Sequence, residues 1–300
     1  MSNLPDSAEV ICIGSVLWDV IGRTERDMPY GADRPGRIAR LPGGVAMNVA
    51  MALRRFDLVP RLLTHIGRDA AGDDLIYAAD ARGIDTGLVT RTDTLPTDQY
   101  MAIEGPEGLV AAIADAHALE AAGEAILSPL RDGRLGTTDA PYQGTIALDG
   151  NLTEALLALI AASPLFAAAD LRIAPASPGK ADRLLPLLPH PRATLYVNLE
   201  EAGLLCDARF TSAPDAAAGL AARGAVRALV TDGPRAACDQ GPGGQHIALP
   251  PPTSVRRITG AGDTFMAAHI AAERRGADPD AALRQALDAA AHYVGGNTEI

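Results

Sequence analysis

The stretch TIALDGNLTEALLALIA, residues 145–161, opens on a short run poor in polar groups, turns a corner at Asp149-Gly150-Asn151 and continues as an amphipathic segment. An apolar run without alternation suits a strand buried on both faces, and a helix after it implies a parallel neighbour. The same unit recurs along the chain. Val10–Ile13 precedes GSVLWD, Arg61–Thr64 precedes HIGRDAAGDDL, Leu195–Val197 precedes NLEEAGLL, and Ala228–Val230 precedes TDGP. Strands alternating with helices predict an α/β fold: a central, mostly parallel sheet flanked by helices. Such sheets bind ligands beyond the carboxyl ends of their strands. There the chain places Asp19, Asp69, Asp149, Asn151, Asn198, Glu201 and Thr231.

Two segments interrupt the rhythm. TDQYMAIEGPEGLVAAI, residues 97–113, reads as two strands around a Gly-Pro-Glu-Gly turn. Residues 23–42 carry Ile38 and Leu41 among polar neighbours and show no helix signal. Together they predict a small β-sheet lid, 23–42 and 96–117, inserted in a core made of 1–22, 43–95 and 118–300.

Composition narrows the function. With 300 residues and 48% hydrophobic content, the chain can bury a large core, and its net charge of −11 argues against a general nucleic-acid binder. The three cysteines are scattered, which excludes a disulfide framework or a zinc site. The N-terminus lacks a basic region followed by an apolar run, and no stretch approaches the roughly 18 apolar residues of a membrane span. These features read as a cytoplasmic protein without a membrane partner. Arginine supplies nearly all the basic charge, and Lys180 is the sole lysine. It lies outside any glycine turn, which excludes a P-loop and a protein-kinase lysine. No HExxH or Cys/His cluster is present, and the histidines are isolated.

Two glycine turns precede helical patterns. In PGGVAMNVAMALRRF, residues 42–56, an apolar stripe of Val45, Val49, Ala52, Leu53 and Phe56 places Asn48 on the inward side. A buried asparagine needs partners, either a neighbouring loop or a hydroxylated ligand approaching Gly43 and Gly44. Asp19 fits a clamp for a vicinal diol or, equally, a loop cap. In ITGAGDTFMAAHIAAERRG, residues 258–276, the turn Gly260-Ala261-Gly262 offers backbone N–H groups to an anion. The side chain that follows is Asp263. It is either a helix cap or a general base standing across from a phosphoryl group. A dinucleotide fingerprint would need a third glycine where Phe265 stands.

These residues resemble the ribokinase-like (PfkB) carbohydrate kinases over essentially the whole chain. GGVAMNVAMALRRF is similar to the family's N-terminal signature and ITGAGDTF to its C-terminal one. GRDAAG (67–72), NLEE (198–201) and VTDG (230–233) follow in family order. Within the family, RPGRIARLPGGVAMN, GLVAAIADAHALE and LDGNLTEALL resemble stretches of the pseudouridine kinases. The resemblance implies ATP-dependent transfer of phosphate to a nucleoside hydroxyl, with ATP as co-substrate and Mg²⁺. It places Asp19, Gly43, Gly44 and Asn48 around the sugar, with Thr97 and Asp115 at the base. Gly260, Ala261 and Gly262 become the anion hole, and Asp263 the base. Asn198 and Glu201 position Mg²⁺ and its waters, and Thr231 and Gly233 line the nucleotide site. Kinases for other sugars or nucleosides, and a catalytically silent sensor, remain as alternatives. The edges of an extended lid imply a homodimer.

The chain departs from the family pattern in places. Leu17 replaces a usual Asn ahead of Asp19, Ala236 a glycine of the nucleotide loop, and Ala174 an acidic residue after a strand. Arg257 replaces the Asp ahead of the last turn, which speaks against a K⁺ site.

Overall fold

The computed structural model describes residues 9–257 and 259–296. Its eight-stranded sheet runs in the order β14-β13-β12-β11-β10-β9-β1-β4. The parallel strands are β1 (Glu9–Ile13), β4 (Val59–Leu63), β9 (Thr145–Asp149), β10 (Asp170–Ala174), β11 (Ala193–Asn198) and β12 (Arg227–Thr231). An antiparallel pair, β13 (Ala237–Gly241) and β14 (Gly244–Ala248), closes one edge. Successive residues of β1 enter opposite cores. Ile11 and Ile13 pack with α4 (Glu154–Ala162), α5 (Leu199–Cys206) and α6 (Ala213–Ala222). Val10 and Cys12 pack on the other face with α1 (Val45–Arg54), α2 (Ala70–Asp80), α7 (Ala261–Arg274) and α8 (Pro279–Val294). Burial on both faces is why these strands read as unbroken apolar runs. The described residues contain no helix long and apolar enough to cross a membrane.

The strand order fixes where a ligand can sit. From β1 the chain crosses to β4 on one side, then later returns to β9 on the other. The crevice where the winding reverses therefore opens between β1 and β9. Gly14 and Ser15 follow β1 there, and Asp149 ends β9.

Over this end lies a second sheet, β3-β2-β7-β8, made of β2 (Leu17–Arg23), β3 (Arg37–Gly43), β7 (Gln99–Gly105) and β8 (Gly108–Asp115). The expected hairpin is β7–β8, with Gly105 opposite Gly108 across Pro106-Glu107. The lid begins earlier than expected, because β2 belongs to it from Leu17 rather than to the core through residue 22. Its partner β7 lies far along the chain, with Trp18 opposite Gln99, a pairing no local pattern reveals. The short pair β5 (His65–Gly67) and β6 (Thr90–Thr92) joins core to lid, and α3 (His117–Ala122) leads back. Asp98 fixes that return by accepting from the N–H groups of Ala118 and Leu119 at 2.8 and 3.1 Å.

Away from the crevice, the far end of α7 is held by a buried ionic network. Glu273 accepts from Arg172 and, at 2.6 Å, from Arg227. Arg227 also grips Asp239, and Tyr196 meets His269 at 2.9 Å. His269 is fully buried, and burial holds its imidazole down near a pKa of about 4. This network pins the helix that carries Asp263.

Candidate active site

Asp263 stands in the first turn of α7, whose N-cap is Gly260 at φ 87°, and no side chain caps the helix. Asp263 is therefore not the helix cap, and the first-turn N–H groups are left open, as at any helix start. The left-handed backbone at Gly260 is one a Cβ-bearing residue rarely adopts. A Cβ there would also collide with the Tyr293 hydroxyl, which donates to the Thr259 carbonyl at 3.0 Å. At Gly262, by contrast, a Cβ would meet nothing within 4 Å. That residue faces open space, where an anion can approach.

Half-buried Asp263 has its pKa pushed up to about 7, first by burial and then by the Asp149 carboxylate, with Glu201 and Asp19 adding to the rise. A hydrogen bond from the Asn48 amide pulls the other way. Four acidic side chains thus converge on one crevice, and a carboxyl that titrates near neutrality suits proton transfer. Asp19 itself is pushed up to about 6 by burial. It lies within β2, opposite Leu41 and Tyr100, and so is not a loop cap.

The N-terminal glycine turn is shaped by these same groups. A Cβ on Gly43 would collide with the Asp19 carboxylate, and one on Gly44, at φ 88°, with Ser15. Both glycines are thus required by the protein's own packing before any ligand arrives. α1 is buried more widely than its expected stripe, since Ala46, Met47 and Ala50 are also covered. Asn48 is half-buried at its edge.

The residues expected to hold a nucleotide gather on the other side. Asn198, Thr231 and Gly233 line a cleft of about 1100 Å³ together with Asp182, Glu200 and Leu204. Asn198 caps α5, accepting from the Glu201 N–H at 2.9 Å, while Glu201 Oε2 accepts from the Asn198 N–H at 2.8 Å. This capping box occupies one Glu201 oxygen and leaves the other. No group of three or more His, Cys, Asp or Glu side chains among the described residues could hold a metal.

Two expected contacts have other partners. Thr97 is buried, and its hydroxyl and N–H both go to Asp69, at 2.5 and 2.9 Å, which in turn caps α2. Thr97 thus ties the segment ahead of β7 to the start of α2. Asp115 ends β8 and accepts from His117 at 2.6 Å. Conversely, the sequence assigns nothing to Ser15 and places Asp149 and Asn151 only at a strand end. Asp149 is buried, accepting from Ser15 N–H and O–H at 2.7 and 2.5 Å and from the Asn151 N–H at 2.7 Å. The signal was the DGN corner of the opening stretch, but only strand order places it against Ser15. Ala174, which replaces a usual acid, lies directly opposite Asp149 in register.

Arg257 lies under the last turn. Its guanidinium stacks 3.5 Å from the Tyr293 ring centroid and donates to the Tyr293 carbonyl at 2.9 Å, with one terminal nitrogen buried and unpartnered. A fixed cation thus stands beside the anion turn.

The model of the pfkB family of carbohydrate kinases matches residues 7–297. The chain belongs to that family. Its members are phosphotransferases acting on alcohol groups. A carbohydrate kinase from Agrobacterium tumefaciens is similar in structure, with a TM-score of 0.78 and 27% identity, over 94% of this chain and 89% of that one. Arabidopsis thaliana ribokinase, solved with ribose and ATP, shares the fold at a TM-score of 0.74 and 21% identity, over 95% and 92% of the two chains. A pseudouridine kinase of Escherichia coli is 33% identical over 75 residues, 25% of this chain and 24% of that protein. That match spans about a quarter of the relative's length.

Proposed function

We propose that the chain transfers the γ-phosphoryl group of ATP to the 5′-hydroxyl of a nucleoside, with pseudouridine the preferred acceptor. The observation that carries the kinase reading is Asp263 itself: an uncapping carboxyl titrating near 7, beside an open helix start and beneath a lid. The acceptor oxygen attacks the γ-phosphorus, its proton passes to Asp263, the bond from that phosphorus to the bridging oxygen breaks, and ADP leaves. Open N–H groups of the α7 first turn face the charge that gathers on the phosphoryl oxygens. Asp19 and Asn48 orient the sugar, and Asn198, Thr231 and Gly233 hold the nucleotide. Mg²⁺, held through water by Glu201, would neutralise phosphate charge. Closure of the lid keeps water from competing with the acceptor. Pseudouridine is favoured over other acceptors by the partial likeness to a pseudouridine kinase.

The lid supports a homodimer as well. Ile38, Met101 and Ile113 share its outer face by register and are 80%, 50% and 71% exposed. The test is ATP consumption with Mg²⁺ against pseudouridine, uridine, adenosine, ribose and fructose 6-phosphate. Preference for pseudouridine is the expected result. Preference for uridine or adenosine removes the pseudouridine assignment, preference for ribose or fructose 6-phosphate removes the nucleoside assignment, and tight binding without turnover makes the chain a sensor.

A further inference from the structure

Lys180 is the sole lysine of a chain that otherwise uses arginine throughout, and the reaction above leaves it without a task. It lies in the helical turns Pro178–Leu187 that follow β10. Among the described residues its ammonium makes one hydrogen bond, to Asn151 Oδ1 at 2.7 Å. An ammonium carries three donors, so two remain. The Asn151 amide continues the chain to Ser15 Oγ at 2.9 Å and to Asp149 Oδ2 at 3.3 Å. Asp149 is the carboxylate that most raises Asp263. Arg183 of the same turns is committed elsewhere, donating to the carbonyls of Asn151 and Leu152 at 3.0 and 3.3 Å and facing Glu120.

The strand order locates this side chain between the two halves of the reaction. The acceptor groups Asp19 and Asn48 lie on β2 and α1, which follow β1, with Asp149 at the end of neighbouring β9, and the nucleotide cleft opens at the ends of β11 and β12. β10 lies between them, about 4.8 Å from each neighbour. The loop that follows it carries Lys180, and two residues further on Asp182 lines the nucleotide cleft. The crevice is otherwise acidic, with Asp19, Asp149 and Glu201 all acting on Asp263. A γ-phosphoryl group entering it brings more negative charge, and at the α7 start it meets backbone dipoles and the Arg257 guanidinium, which is held fixed on Tyr293. Lysine is a compact point charge on a flexible stem, able to follow a phosphoryl group that moves. Arginine offers a rigid fork suited to a fixed one.

We infer that Lys180 is the side-chain cation of the transfer, its ammonium contacting the γ-phosphoryl oxygens while Asn151 holds it at the junction of acceptor and nucleotide. The inference rests on the kinase reading. Its test compares wild type with Lys180→Ala and with Lys180→Met, which keeps an apolar stem. Calorimetry measures binding of Mg²⁺ complexes of ADP and of the β,γ-imido analogue of ATP, and steady-state assays give kcat and acceptor KM. Expected are ADP affinity within about twofold of wild type, imido-analogue affinity down about tenfold, and kcat down about 100-fold, the effect of losing one such donor. If both nucleotides weaken equally, or acceptor KM rises with kcat held, Lys180 only props Asn151 and the inference fails. Variants matching a wild type that binds and turns over also refute it, with the kinase reading intact. A wild type that binds neither nucleotide overturns both.

Discussion

The carboxyl of Asp263 makes a quantitative claim about pH. With a pKa raised to about 7, its basic form makes up about a tenth of the enzyme at pH 6 and about nine-tenths at pH 8, so kcat/KM should rise about tenfold between them, approaching unit slope only below about pH 6. A carboxylate at its ordinary value near 3.9 would give a flat profile over that range. Asn48→Ala removes the one hydrogen bond that favours the charged form. A hydrogen bond to a charged group contributes about 1.5 to 3 kcal/mol, so the acid limb should move upward by about one to two pH units. Stability gives an independent reading of the same group. A folded pKa above the unfolded 3.8 means that folding takes up a proton between those values, so stability falls as pH rises through that window. The full difference corresponds to at most about 4 kcal/mol, reduced to roughly 1–2 for a carboxyl that solvent partly reaches. Asp263→Asn should therefore melt several degrees above wild type at pH 8, with the gain vanishing near pH 4, while turnover falls 100-fold or more. The assays are a pH series of initial rates and thermal melts from pH 4 to 8. A flat wild-type profile together with an unchanged melting point for Asp263→Asn would refute the reasoning.

Other expectations follow from neighbouring parts of the structure. Gly262→Ala has room for its methyl and should keep the wild-type melting point yet lose at least tenfold in kcat; Gly260→Ala meets Tyr293 and should lower the melting point as well. Equal loss of stability in both would show that the turn is structural only. Glu273→Gln breaks a buried network and should cost about 3 kcal/mol in urea unfolding at pH 7.5 without changing acceptor KM, and a loss under 1 kcal/mol would contradict this. The same network should weaken in acid. His269, depressed to about 4, contributes stability that is complete above its unfolded value near 6.5 and lost as pH falls toward 4, and Glu273, depressed to about 2, loses its share below about 4.5. With Arg257 fixed on Tyr293, turnover should agree within about twofold in potassium, sodium and tetramethylammonium buffers; several-fold activation by potassium would contradict it.

The sequence by itself determined the βα rhythm, the β7–β8 hairpin and the two glycine turns. Each of these depends on residues close in the chain: apolar runs buried on both faces, a Gly-Pro-Glu-Gly corner, small residues ahead of a helix. It also singled out Asp263 and Asn48, because a carboxylate or an amide beside a glycine turn is a local anomaly. The tertiary structure alone decided what those residues do to one another. Asp263 rises to about 7 because the fold buries it and brings Asp149, Glu201 and Asp19 toward it from three other elements. Thr97 turned out to brace Asp69, and Lys180 reached Asn151 across 29 residues. β2 joined the lid through a partner about 80 residues away. Periodicity and turn chemistry record a residue's immediate neighbours, whereas the field at a carboxyl is set by whichever charges the strand order brings within a few ångströms.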